Sequence, residues 1–483
     1  MTSTVLILLV LYLGATLALG FVAHRRGRST PEDYFLASRG VGLWFLVGTV
    51  VATIVNGLAV TGTPALFYEG GVLFGQMFVA VFGAMTLMWV FGPRVCKLGM
   101  QKGFITQGEV FADHYQSQVV LALTAVLGII SIFPFLSIQL VGIGKILAIT
   151  TRGAIPQEIA IALCATVVGI YVFLGGARAS VWTDALQGLI ALAVLTGSAA
   201  LFTVWIGGLP AGMEKLSQVM PEKLVFNSTN TPLFVDNILS WPFAFFLWPQ
   251  VFQRMFMTRT PQSVRRTAGI SFLTLTFILI CLLTMSIAAT AELYGTLDDP
   301  EQLIAVMFNR HLPAGGIFLT FLVFTLGMST IDSMLLALSS LVSRDIWGGL
   351  LRREKSTQSA FVHGRWITLT FLILAALFAV TAISGAIIPW VTLSASFATL
   401  LLWPFLGMFV WKRVSTYGVI AAMSLGFLTI CLTRFTALGQ LLPFGFATAG
   451  FLVGAVCFIV GGFTVSIVRS QDRCTPCDSQ EPT

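Results

Sequence analysis

Residues 41–67 read VGLWFLVGTVVATIVNGLAVTGTPALF. Taken whole, this is an apolar stretch long enough to cross a bilayer, yet Asn56-Gly57 falls at its centre and Gly62 and Pro64 follow. A second apolar stretch, 236–256, carries Pro242 and Pro249. Interrupted backbone is tolerated at membrane depth where it lines a cavity, because freed carbonyls and half-helix ends need polar company. A transporter built from inverted repeats places one such helix in each half. Counted from 41–67, these two stretches are first and sixth, the leading members of two blocks of five spans.

The rest of the chain is consistent with a membrane setting. Of 483 residues, 57% are hydrophobic and 10% charged, against roughly 25% charged in soluble domains. This composition excludes an ordinary soluble enzyme. The net charge of +7 is spread as single and paired basic residues between apolar runs, which leaves no nucleic-acid-binding patch. Ten-residue alternating segments do not recur, which excludes an outer-membrane barrel. The seven cysteines lie mostly inside apolar runs and form no disulfide framework.

Thirteen stretches qualify as membrane helices: 3–23, 41–67, 71–93, 118–149, 157–174, 180–206, 236–256, 267–291, 314–343, 366–387, 388–411, 416–435 and 444–468. The first lacks a basic leading region and is too long for a signal peptide, so it reads as a retained helix. An odd count puts the termini on opposite sides. If the loop after the first helix, with Arg25, Arg26 and Arg28, is cytoplasmic, that side collects 21 of the 27 basic residues, Arg178, Arg254 and Arg473 among them. The asymmetry predicts an integral cytoplasmic (inner) membrane protein with its N-terminus outside and its C-terminus cytoplasmic.

Several motifs occur in order along these spans: Ser38-Arg39-Gly40, Thr63-Pro64-Ala65 to Tyr68, Gln139-Leu140-Val141-Gly142-Ile143-Gly144-Lys145, Gly175-Gly176-Ala177, Trp182-Thr183-Asp184-Ala185-Leu186-Gln187, and Met328-Ser329-Thr330 with Arg344-Asp345-Ile346. Through them the chain resembles the sodium:solute symporter family over nearly its whole length. The resemblance implies an all-α polytopic protein of the LeuT fold, with one helix before a 5+5 inverted repeat and two after it. On that reading 1–40 holds the extra helix and a cytoplasmic loop, and 41–411 the transport core, in halves 41–206 and 236–411. Residues 412–468 hold two C-terminal helices and 469–483 a tail.

Sodium is a hard ion that needs several oxygens, which apolar helices offer only as freed carbonyls and hydroxyls. The family's sodium site falls here on the carbonyls of Ala52, Val55 and Leu326 and the hydroxyls of Ser329 and Thr330. Proline-carrying relatives have an acidic residue where this chain has Ile54. The two-sodium members coordinate a second ion from a helix face like Ser329, Asp332 and Ser333, with an acid at the motif position of Asp184; they have a hydroxyl where this chain has Asp332. The pair Asp184 and Asp332 is thus expected to face each other as a second cation site or release relay. Alternatively, each pairs with an arginine such as Arg178 or Arg254.

Trp241, Phe245 and Pro249 recur at intervals of four and share one helix face. Trp241 and Pro249 match positions lining the solute pocket of proline-carrying relatives, and Phe245 replaces a tyrosine. Asn56, Gln76, Gln139, Thr392 and Ser394 could complete the cavity. Few polar groups among many aromatics predict a small, partly apolar solute, a carboxylate or amino acid. The expected activity is sodium-coupled import by alternating access, with sodium as coupling ion and no cofactor, nucleic acid or obligatory protein partner. Proton coupling on the same fold and a transporter-like solute sensor are the competing readings. An enzyme is disfavoured, because His24, His114, His311 and His363 lie in loops or at span ends. Cys474-Thr475-Pro476-Cys477 has no second pair and reads as incidental.

Overall fold

The computed structural model describes residues 2–151, 153–228, 230–312, 315–351, 357–381, 388–442 and 444–471. Arg152, Arg352, Arg353, Lys355, Arg473, Cys474, Cys477, the end of the span 366–387 and nearly all of the tail lie outside these residues. Among the described residues the backbone is helical apart from its connections and one isolated bridge, Gly40 to Thr258. The helices are α1 (Thr2–Arg26), α2 (Pro31–Leu36), α3 (Leu43–Ile54), α4 (Gly62–Gly70), α5 (Gly75–Lys102), α6 (Gln107–Tyr115), α7 (Gln118–Thr150), α8 (Gln157–Trp205), α9 (Leu209–Val219) and α10 (Asn230–Leu247). They continue as α11 (Pro249–Arg254), α12 (Pro261–Leu293), α13 (Leu303–His311), α14 (Gly315–Ser340), α15 (Thr357–Thr381), α16 (Ile388–Thr399), α17 (Leu402–Phe409), α18 (Thr416–Phe435) and α19 (Phe446–Gln471). Ten stretches of these are long and apolar enough to cross a membrane.

Both interruptions anticipated from the sequence are present. The first falls at Val55 and Asn56, which adopt extended geometry before a short 3-10 turn, Gly57–Ala59, and α4. Asn56 caps that turn by accepting from the Ala59 amide at 3.1 Å. The second falls at Trp248 (φ −53°, ψ 127°) between α10 and α11. Its cause is Pro249, whose ring pushes the preceding residue out of the helical region. Pro242, by contrast, stays inside α10. It packs against Gly83 of α5, where a side chain would collide with its ring.

The two spans expected at 157–174 and 180–206 form one helical stretch, α8, sharply turned at Gly176 (φ 53°, ψ −143°). A Cβ at this glycine would strike the Tyr34 carbonyl and ring, so α2 can pack into the bend only because the position is bare. Nearby, Ala37, Ser38 and Arg39 are consecutive non-glycine residues at positive φ. Arg39 is held there by Glu32 (2.6 Å) and the carbonyls of Phe104 (2.8 Å) and Phe256 (3.4 Å).

Burial ranks the helices. On α14 every residue from Leu322 to Ser340 is buried, so this helix is enclosed on all sides. On α1, α12 and α19 large apolar side chains such as Phe21, Phe277 and Phe463 remain exposed, as expected of helices that face lipid. At the far end of the bundle from Arg39, Asp236 of α10 accepts the Thr448 amide at 2.8 Å and so caps the first turn of α19.

Candidate functional site

The end of α3 lies against the middle of α14. The ladder of α3 closes with the Val55 amide donating to Val51 at 2.8 Å. The next carbonyl, that of Ala52, instead receives hydroxyls from another helix. Ser329 Oγ is 3.2 Å and Thr330 Oγ1 3.3 Å from it, and the same hydroxyls lie 2.9 and 3.0 Å from the Leu326 carbonyl. Four oxygens therefore converge with only two protons among them, which leaves lone pairs in excess. A small hard cation needs that balance. Val55, the fifth residue of the predicted set, is where α3 leaves helical geometry, and it lines the neighbouring cavity.

That cavity, about 510 Å³, starts at the interrupted helices and runs to the exposed loop residue Glu222. Asn56, Gln76, Trp241, Phe245 and Thr392 are in its wall, with Ile54 beside them. Gln139, Pro249 and Ser394 are not. Gln139 is buried in α7 with neither amide atom hydrogen-bonded, and the Ser394 hydroxyl donates to the Ser131 carbonyl. The aromatic stripe extends further than the sequence indicated. Trp241 meets Phe245 edge-on (5.4 Å), Phe245 stacks on Trp248 (5.3 Å), and Trp248 stacks on Phe135 of α7 (4.9 Å). Phe135 also lines the cavity. Asn237 accepts from the Trp241 indole at 3.0 Å and fixes its tilt. Toward its Glu222 end the wall turns polar, with Glu69, Lys223, Asn227 and Asn230.

One turn along α14 from Ser329 lies a charged cluster with no solvent exposure. Asp332 accepts from Tyr171 (2.9 Å) and Ser180 (2.9 Å), with Thr183 at 3.4 Å and Ser333 at 3.2 Å. Asp184 accepts from Thr49 at 2.5 Å. Arg254, the last residue of α11, enters between the two acids: its Nη2 is 3.7 Å from Asp184 and donates to the Ser333 hydroxyl. Arg39 and Arg254, counted as loop charges from the sequence, are 6% and 0% exposed. Arg178, the other candidate partner, binds Asp33 at 2.5 Å instead. Thr49, Tyr171 and Ser180 were not anticipated. Thr49 and Thr53 sit four apart on α3, on a face that periodicity could have marked.

The sequence profile of the sodium:solute symporter family matches residues 34–426. The chain belongs to the sodium:solute symporter family. Among curated members of the family, the sodium/pantothenate symporter of Haemophilus influenzae is 24% identical over 95% of this chain and 96% of its own length. The osmoregulated proline transporter OpuE of Bacillus subtilis is 23% identical over 98% and 96%. The structure of a Na+-coupled sialic acid symporter in a substrate-bound outward-open state superposes with a TM-score of 0.82 at 17% identity, covering 96% of this chain and 97% of that one. This symporter thus has the LeuT fold, and like its family it is a transporter, not an enzyme.

Proposed function

We propose that the protein imports a small, partly apolar carboxylate or amino acid together with sodium, by alternating access. The observation that carries this is the Ala52 carbonyl, released by the break in α3 and met by the Ser329 and Thr330 hydroxyls. Sodium sits among Ala52, Val55, Leu326, Ser329 and Thr330. The solute occupies the cavity, against Trp241 and Phe245, with Asn56 and Gln76 as polar contacts. A carboxylate is favoured on two grounds. The start of α4 (Gly62, Thr63) lines the cavity, and a helix N-terminus attracts anions. The relatives' solutes, pantothenate, proline and sialic acid, all carry that group. Gln139 and Pro249 would support the pocket from behind its wall.

The thirteen-span count follows if α8 spans twice about Gly176, if α10 with α11 makes one interrupted span, and if 57–102 contributes to two. The repeat halves are then 41–206 and 236–411, with 1–40 preceding the core and the helices of 412–468 following it. The Arg39 end faces the cytoplasm, where the positive loops lie, and the cavity opens outward in a cytoplasmic (inner) membrane. Asp184, Asp332 and Ser333 form the second place where positive charge is bound.

The test is thermal stabilisation of purified protein across a panel of small carboxylates and amino acids, with sodium or with choline. A shift with one solute class that needs sodium supports the reading. Proton coupling is the competing reading, favoured by the two buried acids. Uptake into vesicles that follows a proton gradient and ignores sodium decides for it.

A further inference from the structure

The surface that α8 and α15 present to lipid is not flat. Between them runs a groove of about 590 Å³, walled from Glu158 to Leu174 on one helix and from Leu369 to Val380 on the other, almost wholly by apolar side chains. Its floor is low because Ala162, Ala165 and Gly169 recur on α8 at spacings of three and four, and a side chain at Gly169 would strike Leu372. At 1.5 Å per residue the α8 wall is roughly 24 Å long, most of the depth of a hydrocarbon core of about 30 Å. The two ends differ in charge. One carries Glu158, whereas at the other Arg365 Nε donates to the Phe173 carbonyl at 2.6 Å. The guanidinium lies over the rings of Phe173 (4.2 Å) and Phe361 (5.4 Å), which fix its plane, and among the described residues neither Nη atom has an acceptor. Beside it His24 Nδ1 is 2.7 Å from the Leu174 carbonyl. Trp366, more than half exposed and edge-on to Phe173 (5.3 Å), marks this level as the membrane interface.

We propose that this groove binds one anionic phospholipid from the leaflet at the Arg365 end, with its phosphate on the Nη atoms of Arg365 and an acyl chain along Gly169, Thr166 and Ala162. A planar guanidinium with an uncommitted fork matches a pair of phosphate oxygens, and its stacking on two rings has already ordered it for that contact. The preference for net negative charge comes from the surroundings. Neither α1 nor α15 contains an acidic residue, and the acids of α2 are committed, Glu32 to Arg39 and Asp33 to Arg178. Arg25, exposed over Phe21 (4.5 Å), adds to the surplus of positive charge, which attracts anionic lipid at the membrane surface. Head and chain are thus held by different parts of one site. None of the residues lining the groove lines the solute cavity, so the lipid acts on the helix pair and not on the solute.

The experiment is native mass spectrometry of the full chain, stripped of lipid in detergent and titrated with dioleoyl phosphatidylglycerol or dioleoyl phosphatidylcholine. Wild type is expected to retain one phosphatidylglycerol, about tenfold more tightly than phosphatidylcholine. Arg365→Gln is expected to lose that preference. Thr166→Phe, at an exposed position inside the groove, is expected to weaken both lipids alike by filling the path of the chain. Arg434→Gln, an equal loss of charge at the end of α18, is expected to bind as wild type does. Equal affinity of the wild type for the two lipids overturns the proposal, and this measurement stands even if Arg365→Gln fails to fold. A folded Arg365→Gln or Thr166→Phe protein that binds as wild type also overturns it, as does an Arg434→Gln protein that loses the preference. A second copy of the chain retained in place of lipid, and released by Thr166→Phe, would assign the groove to a dimer and overturn the proposal as well.

Discussion

Two polar layers lie one turn apart on α14, and they are built on opposite principles. The Ser329–Thr330 layer is neutral: two hydroxyls and two carbonyls at 2.9–3.3 Å, with more lone pairs than protons. The Asp332–Ser333 layer is charged, and the donors around Asp332 and Asp184 take up most of their oxygens. An ion that must enter and leave needs partners that are weakly committed to one another. A hydroxyl–carbonyl bond, worth about 1 kcal/mol net, is such a partner. An arginine pinned between two carboxylates is not. The first layer is suited to a travelling cation and the second to a tethered one.

The sharpest way to break this contrast is to remove a partner from the charged layer. Among the described residues Asp184 is the only carboxylate that Arg254 meets directly, so Asp184→Asn leaves a buried guanidinium without a direct counter-charge, a loss of about 3–5 kcal/mol. The expected outcome is a large fall in the melting temperature of the detergent-solubilised protein, partly relieved by adding Arg254→Gln. Unchanged melting for Asp184→Asn would mean that the cluster is not held by charge. In the neutral layer, Ser329→Ala with Thr330→Ala should spare folding, since both sites lose only hydroxyls. It should lower sodium-dependent uptake by about a hundredfold or more, from two ligand bonds of ~1.5 kcal/mol. If melting drops and sodium affinity does not, the roles of the layers are reversed.

Further from the layers the effects should shrink. Phe245→Ala is expected to raise the apparent KM for the solute about tenfold, or ~1.4 kcal/mol, at unchanged protein level; a KM unchanged from wild type in both this variant and Trp241→Ala would return the stripe to packing. Asp236→Asn, at the cap of α19, should cost only about 1 kcal/mol of stability and leave sodium binding alone. A change in sodium affinity there would mean that α19 communicates with the core.

Much of this was legible in the sequence because it is local. Asn56-Gly57 interrupts an apolar run in any context, an adjacent hydroxyl pair such as Ser329-Thr330 stands out in a membrane helix, and Trp241 and Phe245 share a face by spacing alone. The position of the second break was readable only in part. Pro242 and Pro249 carry the same local signal, and packing on Gly83 decides that the first remains helical. Least legible was Arg254. Counting loop charges treats each arginine as solvated, and nothing near residue 254 says that its partners are on α8 and α14. Long-range pairing of this kind has no sequence period.

The burial of Arg254 also bears on how the protein is made. A guanidinium at membrane depth resists insertion, by roughly 2.5–3.5 kcal/mol on the insertion scale. Ser180, beside Asp184, precedes Arg254 by 74 residues, whereas Ser333, beside Asp332, follows it by 79. During synthesis from the N-terminus, α8 with its carboxylate has therefore already emerged when α11 arrives, and α14 has not. The first half of the molecule thus acts as a receptor for the hardest segment of the second. Separated halves, expressed as two chains, should assemble only when the N-terminal one retains Asp184.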